Sequence, residues 1–336
     1  MKLTPGKLAG LKTVSNERGV IAAAAMDQRG SLQKSLAKER GAEATGHDLE
    51  VFKTLVTDVL CKHASAILLD PEYGLPASKH RHGKGLLLAY EKTGYDAQTA
   101  GRLPDLLDVW SVRRLKEAGA DCIKILLYYT PFEKSHINDL KHAWVERIGD
   151  ECRCHDIPYF LEFVGYDAEG GNEKSVEYAR KKPSIVSGAM AEFGKARYNV
   201  DVLKVEVPIV MEYVAGTKAN KGGEAAYTRA EALQHFRDAE SVTHKPFIYL
   251  SAGVSNPVFI ETLELAGESG TKFNGVLCGR ATWKDGIAIY AKQGEQAFRD
   301  WLESTGVENI KNVNMALEAA SPWFLKFGAK SRAERG

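Results

Sequence analysis

The amino-acid sequence predicts an α/β fold, a single (β/α)8 TIM barrel, and three observations carry that prediction. Eight short apolar runs recur along the 336 residues, longer amphipathic or charged segments separate them, and polar residues interrupt the runs at or near their ends. Alternation of this kind requires parallel strands joined by crossover helices, and eight units are the count at which such a sheet closes on itself. An open, doubly wound sheet is the alternative with the same alternation.

In chain order the predicted strands are Val20 to Met26, Ala66 to Leu69, Leu86 to Ala89, Cys122 to Leu127, Tyr159 to Val164, Val202 to Val207, Phe247 to Leu250 and Gly275 to Cys278. Among the segments between them, Val51, Phe52, Leu55, Val56, Val59 and Leu60 recur at spacings of three and four and make one helical stripe. Asp108 ahead of Val109, Val112 and Leu115, with Gly119 behind, gives start and stop signals for a second helix. Ile185, Val186, Ala189, Met190 and Phe193 ahead of Gly194 give a third. With no Pro/Gly/Ser-rich linker to divide it, the chain is expected to form one domain over residues 1–336. That domain carries a short N-terminal extension over 1–19 and a flexible charged tail over 329–336, and Thr217 to Gly223 reads as a mobile loop.

Composition excludes several function classes. Hydrophobic residues are 44% and charged residues 26%, ordinary for a globular protein with a full core. The net charge of +1 provides no field for nucleic acid or an anionic membrane, so the expected partner is a small molecule and any phosphate affinity must be local. Five scattered cysteines do not make a disulfide framework, and reduced thiols point to the cytoplasm. Cys152, Cys154 and His155 lack a second ligand cluster, so no metal is expected. The first dozen residues have no signal-peptide pattern, and Val20 to Met26 is too short to span a bilayer.

The informative positions are the polar ones at the strand ends. Asp27 follows the first run, Asp70 the second, Glu91 the third, Ser251 the seventh and Gly279-Arg280 the eighth, while Lys124, Glu162 and Lys204 lie within the fourth, fifth and sixth. In a barrel the C-terminal strand ends converge on one mouth. Strand alternation puts Lys204 and Glu206 on the face opposite Leu203 and Val205, Glu162 opposite Leu161 and Phe163, and Lys124 opposite Ile123 and Ile125. Two lysines and two glutamates are thus expected inside the barrel. A buried ion-pair network that only fixes the fold is the plain explanation. The functional one is chemical: a lysine must lose its proton to attack a carbonyl, and burial beside a second cation favours that loss. Lys204 then serves as nucleophile, Lys124 as the neighbouring cation, and Glu162 as the group that moves protons.

Ser251-Ala252-Gly253-Val254-Ser255 and Gly279-Arg280-Ala281 follow strands seven and eight, where barrels often hold phosphate. Glycines let backbone N–H groups approach an anion, and Arg280 adds a bidentate charge. Asp27-Gln28-Arg29-Gly30 is suited to substrate hydroxyls or a second phosphate, and equally to a helix-capping turn. Asp70-Pro71-Glu72-Tyr73-Gly74 lines the mouth or forms a rigid loop. His63, His80 and His82 sit among basic residues as in a solvated loop, and Trp110 and Trp283 read as packing residues.

Taken together, Asp27-Gln28-Arg29-Gly30, Leu69 to Pro76, Ala89-Tyr90-Glu91-Lys92-Thr93-Gly94-Tyr95-Asp96, Val202 to Pro208, Tyr249 to Ser255 and Gly275 to Trp283 closely resemble the tagatose 1,6-bisphosphate aldolase family of the class I aldolase superfamily. The resemblance runs from about Met26 to about Trp323. It implies reversible cleavage of D-tagatose 1,6-bisphosphate to dihydroxyacetone phosphate and D-glyceraldehyde 3-phosphate, in lactose and galactose catabolism, without metal or other cofactor, by a homodimer. It implies Lys204 as the Schiff-base residue, Glu162 as acid/base, Lys124 and Asp27 as supporting groups, and Ser251, Gly253, Gly279 and Arg280 as phosphate contacts, while Gln28 and Arg29 stand as substrate or phosphate contacts on the reading of their own turn. The basic, His-rich Lys79 to Gly83 and the Phe163-Val164-Gly165 that follows Glu162 depart from the family pattern and bear on sugar specificity. Fructose 1,6-bisphosphate and a sulfofructose phosphate are the alternative substrates. A phosphosugar isomerase or epimerase, or a sugar-phosphate-binding regulatory barrel, are the alternative functions.

Overall fold

The computed structural model describes residues 3–92, 99–332 and 334. Eight strands, β1 (Ile21–Met26), β2 (Ala66–Leu69), β3 (Gly85–Ala89), β4 (Cys122–Tyr128), β5 (Tyr159–Val164), β6 (Val202–Val205), β7 (Phe247–Leu250) and β8 (Gly275–Cys278), form a closed barrel in sequence order. Every neighbouring pair is parallel, and β1 closes on β8 through Ile21↔Gly275 to Ala24↔Cys278, which rules out the open sheet. Closure depends on Gly275. Its φ is +135°, and a Cβ there would lie 2.0 Å from the Ile21 carbonyl oxygen.

The helices are α1 (Pro5–Val14), α2 (Gly30–Arg40), α3 (Gly46–Leu60), α4 (Leu75–Ser78), α5 (Val112–Glu117), α6 (Ser135–Cys154), α7 (Val176–Phe193), α8 (Arg229–Ser241), α9 (Asn256–Glu268), α10 (Arg280–Trp283), α11 (Gly286–Trp301) and α12 (Val307–Ala316). Among the described residues no helix is long and apolar enough to cross a membrane. The period-two alternation of the strands sorts their side chains into two cores. Met26, Ile67, Leu69, Ile123, Leu161, Leu203 and Tyr249 point outward against the helices. Ala23, Ala25, Leu68, Leu87, Phe160, Val202 and Ile248 point inward.

The inward set continues downward into Leu8, Leu11 and Val14 of α1 and into Trp323 and Phe327, so the segment read as an N-terminal extension is the floor of the barrel. Burying each of these aliphatic side chains is worth roughly 1.5–3 kcal/mol. Lys7 anchors α1 through Asp201 at 2.8 Å. The tail beyond 329 starts against the same floor, with Ala329 buried and Arg332 donating to the carbonyls of Lys12 and Ser15.

Other local expectations shift. Asp108 does not cap α5: Ser111 does, accepting the Arg114 N–H at 3.2 Å, while Asp108 pairs with Lys92 at 2.7 Å. The reason is that Val109 is 67% exposed and Val112 is the first residue the barrel can bury. β6 ends at Val205, two residues early. Within Thr217 to Gly223, Thr217 and Asn220 are buried and bond to the Met211, Val214, Glu212 and Glu224 carbonyls. The Thr93-Gly94-Tyr95-Asp96 part of the third strand's motif lies outside the described residues.

Candidate active site

At the C-terminal mouth lies a cavity of about 530 Å³, within the range that takes a small organic ligand. It is lined from all around the barrel, by Asp27 and Gln28 after β1, Glu91 after β3, Glu162 on β5, Lys204 on β6, Ser251 and Gly253 after β7, and Gly279 and Arg280 after β8.

Register sets its floor. Glu162 pairs with Lys204 across β5 and β6, and Lys124 lies one pleat lower, level with Phe160 on β5 and Ala89 on β3. Lys204 Nζ and Lys124 Nζ are each 2.8 Å from the same oxygen, Glu162 Oε2. These are ion contacts only, because neither is aligned as a hydrogen bond to that oxygen. Lys124 also bonds Asp27 at 2.7 Å and Glu91 at 2.9 Å.

Three carboxylates therefore surround the Lys124 ammonium, which has no exposed surface. Burial opposes its charge, but Asp27, Glu162 and Glu91 outweigh burial and raise its pKa well above the ordinary lysine value. Burial likewise opposes ionisation of Asp27, yet Lys124, Lys204 and Lys53 hold that carboxyl well below its ordinary range. At Glu91 burial prevails over Lys124 and Arg29 and pushes the carboxyl up. Lys124 is thus a fixed cation within the cluster, and among the described residues Glu162 is the ion partner of Lys204.

Ser251 to Ser255 turns tightly: Ala252 and Gly253 both have positive φ, +48° and +77°, and the Val254 N–H returns to the Ser251 carbonyl at 3.1 Å. The Arg280 guanidinium lies against Gly253, where a Cβ would stand 2.9 Å from its central carbon. Arg280 is exposed and has no ion pair among the described residues. Lys284 holds the turn from behind through the Gly253 carbonyl at 3.0 Å.

The structure thus gathers Lys204, Glu162, Asp27, Gln28, Ser251, Gly253, Gly279 and Arg280 about one cavity, with Lys124 buried directly beneath it against Asp27 and Glu162. Arg29 borders it, but its guanidinium is committed to Glu72 at 2.5 Å and to the Glu91 carbonyl at 2.7 Å, so it braces the loops between β1 and β3. Glu206 lines the mouth without joining the lysine cluster, since it binds Lys182 at 3.2 Å and the Gly165 N–H at 2.7 Å. Asp70 does not line the mouth; it is fully buried in the wall under Lys53. Trp283 packs on Phe52 and donates to the Ala25 carbonyl at 2.9 Å. Cys152 is buried and Cys154 exposed, so they face apart on α6.

Sequence reasoning noted Glu91 only as a strand-end residue and missed its part in the cluster. The signal was present, a carboxylate directly after a strand in the manner of Asp27. Ser31 and Lys34, in the first turns of α2, also line the cavity and carried no signal beyond a helix start.

A lysine and a carboxylate in contact within one cavity at the C-terminal mouth of a (β/α)8 barrel are the equipment of a carbon–carbon lyase that works through an imine. The chain belongs to the DeoC/LacD family of aldolases, whose description, "DeoC/LacD family aldolase", matches residues 21–285. It is 52% identical over 331 residues to the tagatose 1,6-diphosphate aldolase of Listeria monocytogenes serotype 4a (strain HCC23), covering 98% of this chain and 97% of that one. It is 52% identical over 319 residues to the tagatose 1,6-diphosphate aldolase of Staphylococcus aureus (strain JH9), covering 94% and 97%. Among solved structures, the fructose-bisphosphate aldolase of Plasmodium falciparum superposes with a TM-score of 0.67 at 15% identity, covering 96% of this chain and 97% of that one, a likeness of fold alone.

Proposed function

We propose that this protein reversibly cleaves D-tagatose 1,6-bisphosphate to dihydroxyacetone phosphate and D-glyceraldehyde 3-phosphate through an iminium on Lys204. The observation that carries the reading is the contact of Lys204 Nζ with Glu162 Oε2 at 2.8 Å inside the cavity, in a chain half identical to curated tagatose 1,6-diphosphate aldolases along nearly its full length.

In this reading the Lys204 amine attacks C2 of the open-chain ketose and water leaves to give the iminium. Glu162 takes the proton of the C4 hydroxyl, the C3–C4 bond breaks, and its electron pair moves into the iminium to form an enamine. The aldehyde departs, C3 is protonated, and hydrolysis frees the second product and Lys204. The iminium is the electron sink. Lys124 and Asp27 keep the charges around Glu162 in place.

One phosphate fits the Ser251 to Gly253 turn beneath Arg280, whose guanidinium is exposed and free of ion pairs among the described residues. Gly30, Ser31 and Lys34 at the start of α2 offer a second anion position on the same cavity. Tagatose and fructose 1,6-bisphosphates differ only at C4, the carbon whose hydroxyl Glu162 would deprotonate, so fructose 1,6-bisphosphate is the substrate to compare. A cytoplasmic setting, supported by five free cysteines, and a homodimer, supported by the family resemblance, complete the reading.

The test is borohydride trapping with tagatose 1,6-bisphosphate in the presence of EDTA, followed by peptide mass mapping. A reduced adduct on Lys204 is expected; turnover without any adduct would move the assignment to an isomerase or epimerase.

A further inference from the structure

Outside the cavity, α3 carries a lysine that the reaction scheme does not use. Lys53 has no exposed surface, and its ammonium makes three bonds, to the Met26 carbonyl at 2.9 Å, to the Gln28 carbonyl at 2.8 Å and to Asp70 Oδ1. Three acceptors match the three donors of an ammonium, so none is left over. The two carbonyls belong to the residues on either side of Asp27. Asp70, also fully buried, is held in turn by the Tyr73 N–H at 2.7 Å on Oδ2. Neither Lys53 nor Asp70 lines the cavity.

A purely structural ion pair between α3 and the barrel requires only the Asp70 contact. Such pairs seldom add stability over apolar packing of the same shape, so a fully buried one calls for a reason. The reason visible here is the chain between the two gripped carbonyls. The strand ends at Met26, and Asp27 is the first residue that the sheet no longer holds. Asp27 must nonetheless keep its carboxylate 2.7 Å from Lys124, whose ammonium also meets Glu162 Oε2. Gripping both flanking peptide units from behind fixes the direction in which the Asp27 side chain leaves the backbone.

We propose that Lys53, with Asp70 as its counter-ion, is a positioning residue that sets Asp27 against Lys124 and through them the Glu162–Lys204 pair; this rests on the aldolase reading above. Lys53 touches no substrate, so its loss should act on turnover far more than on binding.

The experiment uses the full chain and a neutral replacement of the pair, Lys53→Met with Asp70→Asn, because removing one partner alone leaves an uncompensated buried charge. Misplacement of a catalytic group by about 1 Å costs on the order of 100-fold, so kcat should fall by about that factor. KM should stay within about 3-fold, since the anion contacts at Ser251, Gly253 and Arg280 are untouched. The deciding readout is the same pair of substitutions in an Asp27→Ala background, where residues that act through one another are not additive and the further loss should be under about 3-fold. Equal losses in the two backgrounds, or an unchanged kcat, would overturn the proposal in favour of a structural pair. Should the neutral pair fail to fold by circular dichroism, Lys53→Gln with Asp70→Asn, which keeps polar groups at both positions without a net charge, is read by the same cycle. Wild-type protein that neither cleaves the ketose bisphosphate nor forms the Lys204 adduct overturns the aldolase reading itself; wild type that does both while the cycle is additive overturns only the role of Lys53.

Discussion

Lys204 and Glu162 are register partners on adjacent strands, and Lys204 Nζ lies 2.8 Å from Glu162 Oε2. A β-sheet register is a rigid way to hold two functional groups, because neither can shift without breaking ladder hydrogen bonds that run around a closed barrel.

Lys204→Met removes the nucleophile while keeping the buried stem, so borohydride adduct and turnover should both vanish, with a loss of at least about 1,000-fold in kcat. Glu162→Gln keeps volume but cannot accept the C4 proton, and general-base loss of this kind costs roughly 100- to 10,000-fold. Steady-state kinetics with trapping on each variant checks both, and the Gln variant should still form the adduct.

Lys124→Met leaves Asp27, Glu91 and Glu162 facing one another without their shared cation. Removing one partner from a buried pair costs about 3–5 kcal/mol. Chemical denaturation should therefore show a destabilisation of about that size, and a variant as stable as wild type would contradict the cluster.

Arg280→Ala should raise KM by about 10-fold or more with a smaller effect on kcat, the signature of a contact made equally in ground and transition states. Gly253→Ala should do the same from the other side, since its Cβ would lie 2.9 Å from the Arg280 guanidinium at a φ of +77°. Inorganic phosphate should inhibit wild type competitively and both variants more weakly.

Lys141 of α6 is fully buried, donates to the Tyr166 hydroxyl at 3.0 Å, and its pKa is lowered to about 8, chiefly by burial and with Glu133 opposing. Between about pH 8 and the ordinary lysine value of 10.5 the folded chain has released a proton that the unfolded chain keeps, so stability contributed by this group rises with pH in that window. The Tm of wild type relative to Lys141→Met should therefore increase from pH 7 to pH 9.5, and a difference flat across that range would refute the shift.

The eight runs of strand pattern and the polar residues at their ends were enough to read the barrel, and with it Lys204, Glu162 and Lys124 as one cluster; the second glutamate that alternation assigned to it, Glu206, pairs instead with Lys182, and Asp27 takes that place on Lys124. That inference works because a closed parallel barrel brings every strand's C-terminal end to one mouth, whatever the sequence separation. The cap of α5 was not legible, because Asp108 and Ser111 are equally good cap residues and only the burial of Val112 against exposed Val109 chooses between them. Arg29 reads from sequence as a substrate or phosphate contact, yet Glu72 and the Glu91 carbonyl hold its guanidinium. Its neighbours in space lie 43 and 62 positions away, and no local pattern encodes them.

By itself, then, the sequence determined the alternation of strand and helix, the inward face of each strand and so the chemistry collected at the mouth, all properties of periods of two and of three to four residues. Only the tertiary structure decided which charges pair with which: that Glu91 completes the shell around Lys124, that Asp70 faces Lys53 behind the wall, and that α1 seals the floor. Pairing of charges depends on distances of a few ångströms between elements far apart in the chain, and those distances exist only once the barrel has closed.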